Sequence, residues 1–480
     1  SLDTAQRLIV EAHERGLRVM LDLVINHTSD QHPWFAQSRA SRSNPKADWY
    51  IWRDGRGRHG RRPPNNWRSA MEVKTAWQWC PDRQQWYLAT FLPFQPDLNY
   101  RNPEVKAAMF DAVRFWLRRG VDGFRLDIFG SVMKDAEFRD NPFKPGVDGI
   151  STRLWQRPFT ENTDDTIAFA KELRAVVDEF RDEGGERVLL GEVFGSPATL
   201  RRYLGDDDGL QLVFLFDFLA YTYTAGFFRS RIESYEREFA PPLQPTYVLE
   251  NHDRSRLIDR VGGHLGKART LAVLLCTLRG VPTIYQGQEI GMANTPMRLR
   301  EARDPIARSF FWWVPEPLVQ RLPERLNRDE VRTPMQWSGG PNGGFTTPDA
   351  VPWLPVHPNH TERNVAAQEG VDGSMLELYR TLLHLRAARP SLHRGSLRLR
   401  PADPSAPDVL VYERLDDLVD GSEGEPAETT LVVVNFGAEP ATVPVATDAE
   451  PLATTDPAVR VTGDRAHLPA HTAAVLSVPG

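Results

Sequence analysis

Residues 119–130 read RGVDGFRLDIFG, and within this apolar run Arg125 and Asp127 stand two positions apart. Residues two apart on a β-strand share a face, so guanidinium and carboxylate emerge side by side. A structural ion pair would account for these two residues alone. It does not account for Glu192 and Asp253, which sit at the polar ends of two other apolar runs, RVLLGEVFG (187–195) and PTYVLENHD (245–253). Two carboxylates are the minimal set for cleaving a glycosidic bond. One acts as nucleophile or base, and the other, with a raised pKa, protonates the leaving oxygen. A neighbouring cation keeps the first carboxylate ionised and oriented, which is what Arg125 beside Asp127 offers.

The elements that carry these residues repeat. Three further apolar runs, LRVMLDLVINH (17–27), LQLVFLFDF (210–218) and VPTIYQGQE (281–289), alternate with amphipathic stretches such as NPEVKAAMFDAVRFWLRRG, where Pro103 suits a helix start and Gly120 a stop. Apolar strands alternating with helices predict a parallel sheet buried on both faces. Polar residues at the C-terminal ends of five strands favour a (β/α)8 barrel, whose chemistry lies at that mouth, over an open sheet with one switch point. The expected fold is therefore an α/β TIM barrel with an inserted subdomain after its third strand. Residues 1–27 start the barrel, 28–100 form the insertion, 101–390 complete the barrel, and 391–480 form a C-terminal antiparallel β-domain, a sandwich, signalled by DVLVYERL and TTLVVVNFG. A second long insertion runs from 292 to about 370.

Composition narrows the partners. With 41% hydrophobic residues, 25% charged and a net charge of −6, the chain has no basic footprint for nucleic acid. No apolar stretch reaches the roughly 18 residues of a membrane span. The expected partner is a small neutral molecule, the expected compartment the cytoplasm, and the oligomeric state is open. Two cysteines, Cys80 in a polar loop-like region and Cys276 in an apolar run, make no disulfide framework or metal-binding pair.

The strings DLVINH, GFRLDI, GEVFG and ENHD resemble, in order and strand position, four sequence regions of the α-amylase superfamily of glycoside hydrolases (family 13). QPDLN (95–99), RTPMQW (332–337), GFTT (344–347), PWLPV (352–356) and NVAAQ (364–368) are similar to its α-glucosidase and oligo-1,6-glucosidase branch. The resemblance implies that Asp127 is the nucleophile, Glu192 the general acid/base and Asp253 the carboxylate that grips sugar hydroxyls. It places His27, Arg125 and His252 around the sugar, and Arg332 at the closed end of the pocket, with Phe91 and Gln95 lining it. Trp34, Trp67 and Trp77 suit either sugar stacking or a subdomain core. Ile128, after the nucleophile, stands where residue size goes with linkage preference.

Two departures stand out. VKTAW (73–77) replaces the branch's Gly-Gly-Ser-Ala-Trp run. The family's first two strands precede Ser1, so at roughly 30 residues per strand–helix unit the resemblance implies an upstream segment of about 50 to 80 residues. No metal site or required cofactor is expected in this chain; a structural Ca2+ or Mg2+ would belong to a loop of that upstream segment. The function implied is a retaining, exo-acting α-glucosidase of carbohydrate metabolism, acting on maltose, isomaltose and similar short α-1,4- or α-1,6-glucosides through a covalent glucosyl-enzyme intermediate. The alternative is a transglycosylase or isomerase resembling trehalose synthase, and a remote one is a non-catalytic barrel scaffold.

Overall fold

The computed structural model describes the chain except residues 72–73, 149–150, 183–184, 306, 308–326, 417–427 and 479–480, together with the side chains of 146–148 and 151–155. Val73 of VKTAW and much of the second insertion lie outside the described residues. Two compact units are present, Ser1–Phe214 and Leu215–Gly480.

In the first unit the strands Met20–Leu23, Gly123–Leu126 and Val188–Gly191 run parallel, registered Met20↔Gly123 and Gly123↔Val188, and Leu212–Leu215 joins at Leu190↔Leu212. The helix Pro103–Leu117 opens with Pro103 at its first position and the Asn102 side chain accepting from the Glu104 amide. Its turn ends at Gly120, whose φ of +91° suits glycine. Gly123 is required for close packing, because a Cβ there would lie 2.1 Å from the Val188 carbonyl oxygen. Phe124, Leu126 and Leu189 are fully buried, as a doubly covered sheet demands. Met20–Leu23 departs from that expectation. It is an edge strand, and Met20 and the following Val24 are 39% and 40% exposed. On the preceding helix, Leu2–Glu14, Ile9 is buried while Leu8 is exposed.

The first insertion folds as an antiparallel sheet of Trp52–Arg53, Gln85–Leu88 and Trp77–Cys80. Trp67 and Trp77 are core residues, stacked with ring centroids 6.0 Å apart, and their indole N–H groups donate to the Arg139 carbonyl (2.8 Å) and Asn65 Oδ1 (2.7 Å). Both are 1% exposed, so neither is available for stacking on a sugar. Cys80 ends a strand rather than lying in a polar loop, and it is buried.

In the second unit Thr246–Val248 pairs in parallel with Val281–Thr283. The apolar helix Leu265–Thr277 is buried along most of its length and holds Cys276 in the core, where burial pushes the thiol pKa up to about 12. C-terminal residues form a five-stranded antiparallel sheet, with Thr429–Asn435 at its centre between Val409–Leu415 and Ala473–Val478, and a three-stranded one. The larger sheet meets the helix directly: Arg414 donates to the Thr277 carbonyl at 2.7 Å.

Candidate active site

Arg125 lies within the strand Gly123–Leu126, and the other expected site residues lie just past, or are held against residues just past, the C-terminal end of a parallel strand. They fall into two groups, one in each unit.

In the first unit Arg125 is the hub. It pairs in register with Asp22 on the neighbouring strand, and its Nη1 donates to Asp22 Oδ1 (2.8 Å) and Asp127 Oδ1 (2.5 Å). Its Nη2 donates to Glu192 Oε2. One guanidinium thus bridges three carboxylates on three successive strands. Asp127 follows strand residue Leu126, and the next residue, Ile128, sits at φ +40°, a left-handed conformation rarely adopted by a β-branched residue. That strained turn points the Ile128 N–H at Glu192 Oε2 (3.2 Å). With Oε2 accepting two hydrogen bonds, the proton of a neutral Glu192 falls to Oε1. Burial, reinforced by the adjacent Asp127 charge and opposed by Arg125, pushes the Glu192 pKa up from 4.5 to about 8. At neutral pH the buried acid therefore holds its proton beside a second carboxylate, the division of labour that glycosidic cleavage needs.

The chain leaving the first insertion returns antiparallel to the residues after Leu23, with a bridge His27↔Asp97 and the Leu98 amide donating to the Asn26 carbonyl at 3.0 Å. This return sets Gln95 beside His27, Nε2 to Nε2 at 2.9 Å, and Phe91 against the imidazole with ring centroids 5.6 Å apart. Burial lowers the His27 pKa, a tendency that Asp97 and Asp127 oppose and Lys134 reinforces. Next to His27 lies an ion pair that the sequence reading misses: Lys134 Nζ to Asp97 Oδ2, 2.6 Å, with both side chains almost wholly buried.

In the second unit Asp253 lies five residues beyond Val248. Its Oδ1 accepts from Arg332 Nη2 (2.7 Å) and Arg328 Nη1 (2.9 Å), and His252 Nε2 lies 3.6 Å away. Arg332 also donates to the His252 carbonyl at 2.9 Å. Arg328 is itself clamped by both oxygens of Asp304, at 2.7 and 3.0 Å. Burial of Asp253 favours its neutral form, yet His252, Arg328 and Arg332 outweigh it and lower the pKa, so this carboxylate stays charged. Sequence reasoning found Arg332 but not Arg328, four residues earlier at the start of the same turn.

All nine expected residues thus occupy one of two polar groups: His27, Phe91, Gln95, Arg125, Asp127 and Glu192 in the first unit, His252, Asp253 and Arg332 in the second. Among the described residues no group of three or more His, Cys, Asp or Glu is placed to hold a metal ion, and no helix is long and apolar enough to cross a membrane.

The family model for the α-amylase catalytic domain matches residues 1–395. The chain belongs to the α-amylase family. It is a glycoside hydrolase with that family's TIM barrel and C-terminal antiparallel sheets. A probable α-glucosidase of Rhizobium meliloti (strain 1021) is 40% identical over 415 residues, covering 83% of this chain and 71% of the relative. An oligo-1,6-glucosidase of Heyndrickxia coagulans is 34% identical over 437 residues, covering 85% and 76%. The crystal structure of the α-glucosyl transfer enzyme XgtA superposes with a TM-score of 0.85 at 34% identity, over all of this α-amylase-family chain and 86% of that one.

Proposed function

We propose that this glycoside hydrolase is a retaining α-glucosidase that removes terminal α-1,4- or α-1,6-linked glucose from short oligosaccharides such as maltose and isomaltose. The observation that carries this reading is the Arg125 bridge between Asp127 and a buried Glu192 of raised pKa. Two carboxylates sharing one guanidinium support the short separation, about 5 to 5.5 Å, that retaining enzymes use.

In this reading Asp127 attacks the anomeric carbon while Glu192 passes its proton to the leaving oxygen. The ionised Glu192 then takes a proton from the water that releases glucose. Asp253, held ionised by its arginines, grips sugar hydroxyls, with His27 and His252 as hydrogen-bonding partners. Arg332, beside Asp253, binds the non-reducing end, and Phe91 and Gln95 bind the sugar beside His27.

A second reading, glucosyl transfer through the same intermediate, is favoured by the likeness to the α-glucosyl transfer enzyme. Incubation with maltose, isomaltose and sucrose, followed by proton NMR, separates the two. Hydrolysis gives free glucose, α-anomer first; transfer gives new disaccharides at the expense of glucose. First-formed β-glucose would overturn retention, and mid-chain cutting of starch would overturn the exo-acting pocket.

A further inference from the structure

His27 is flanked by amide nitrogens on both sides of its ring: Asn26 Nδ2 lies 3.3 Å from Nδ1 and Gln95 Nε2 lies 2.9 Å from Nε2. Each amide is oriented from behind. Lys134 Nζ donates to Asn26 Oδ1 at 2.7 Å, and the Leu92 amide donates to Gln95 Oε1 at 3.1 Å. Two N–H donors therefore face a ring that, when neutral, has one lone pair to offer. The conflict resolves on the side that is held less firmly. An ammonium has only donors, so turning the Asn26 amide would set its NH2 group against the buried, Asp97-paired Lys134. Turning Gln95 forfeits one bond between neutral groups, and charge-assisted bonds are roughly twice as strong as neutral ones.

We propose that Lys134, acting through Asn26, fixes the His27 proton on Nε2, so that the ring presents an N–H donor on the side where Gln95 stands and where a sugar hydroxyl takes that place. Lys134 and Asn26 are then positioning residues: neither touches substrate, and together they set what His27 can do. The assignment of His27 to the sugar rests on the reading given under Proposed function; the tautomer does not.

The charged groups around the ring are consistent with a neutral imidazole. Asp97 and Asp127 would stabilise a second proton, but Lys134 and burial oppose it and the His27 pKa is lowered. Asp97 is further occupied by the Thr90 amide (2.9 Å) and hydroxyl (2.5 Å), which leaves Lys134 held between Asp97 and Asn26.

The test is Asn26→Asp. This near-isosteric change keeps an acceptor for Lys134 but replaces the donor facing Nδ1 with an oxygen. The 15N shifts of uniformly [15N]histidine-labelled protein, with His27 assigned by comparison with His27→Gln, report the tautomer directly and without substrate. The expected wild-type pattern is Nε2–H with a bare Nδ1. Asn26→Asp moves the proton to Nδ1 or adds a second one, raising the His27 pKa. Lys134→Met with Asp97→Leu, which removes the buried pair without leaving a lone charge, gives a mixture of tautomers. Under the functional reading, Asn26→Asp also raises KM for maltose about tenfold or more while changing kcat less. A wild-type ring with its proton on Nδ1, or an unchanged tautomer in Asn26→Asp, would overturn the inference. Absence of any glucosidase activity in the wild type would overturn the functional reading and leave the tautomer result standing.

Discussion

Replacing Glu192 with glutamine separates the carboxyl group's chemistry from its shape and has a signature in stability as well as in rate. Burial, with Asp127 adding and Arg125 opposing, raises the Glu192 pKa from 4.5 to about 8. Between those values the unfolded chain has released its proton while the native chain keeps one. The native state thus binds more protons, and unfolding becomes easier as pH rises. This contribution is fully present below about pH 4.5, is lost progressively up to about pH 8, and is flat above. At about 1.4 kcal/mol per pH decade the loss sums to roughly 5 kcal/mol, a large share of the 5 to 15 kcal/mol typical of native proteins. Glutamine cannot ionise, so Glu192→Gln lacks this slope. Urea unfolding of both proteins at intervals from pH 5 to 9 should show the variant gaining on the wild type by several kcal/mol. In parallel, wild-type kcat/KM should fall on the alkaline side with a midpoint near pH 8, as a general acid loses its proton, and the variant should lose about 10²- to 10⁴-fold in rate on natural disaccharides. Parallel stability curves across this range, or an alkaline limb below pH 6, would refute the assignment of Glu192 as a buried, protonated acid.

Three other outcomes follow from the geometry. Asp127→Asn should abolish turnover, and a slow 2-fluoroglucoside should label Asp127 in the wild type; mass spectrometry finding the label on another carboxylate would remove Asp127 as nucleophile. Asp304→Asn weakens the clamp on Arg328 and so loosens the grip on Asp253, and it should raise KM for maltose about tenfold with a smaller change in kcat; unchanged kinetics would show that Arg332 alone suffices. Gly123→Ala forces a Cβ against the Val188 carbonyl oxygen across a strand pair and should cost about 1 to 3 kcal/mol, read as a lowered thermal midpoint; an unchanged midpoint would mean that the sheet yields there.

What was legible in the sequence, and what was not, divides along sequence separation. Arg125 and Asp127 could be set side by side from strand periodicity alone, because the relation is local, and the structure places them 2.5 Å apart. The six apolar runs likewise announced six parallel strands. Asp22 carries no such local signal, although it lies in the run LRVMLDLVINH. Its meaning comes from a register opposite Arg125, 103 residues away, which no local pattern encodes. Trp67 and Trp77 were ambiguous because an aromatic residue carries no mark of which face it turns to, and only the packed insertion settles that they are core. Lys134 carries no local signal at all. Buried lysines are uncommon, and this one is held by Asp97 and Asn26, which arrive from two other segments to accept its hydrogen bonds. Removing a single partner from such a pair would leave a buried charge, at a cost of about 3 to 5 kcal/mol. The residues proposed to touch the substrate are thus written in short strings, while those that set the surroundings of these groups are written in pairings between strings. A glycosidase depends on the second kind as much as the first: Asp127 and Glu192 are chemically similar carboxylates, and burial is what lets Glu192 keep a proton beside Asp127.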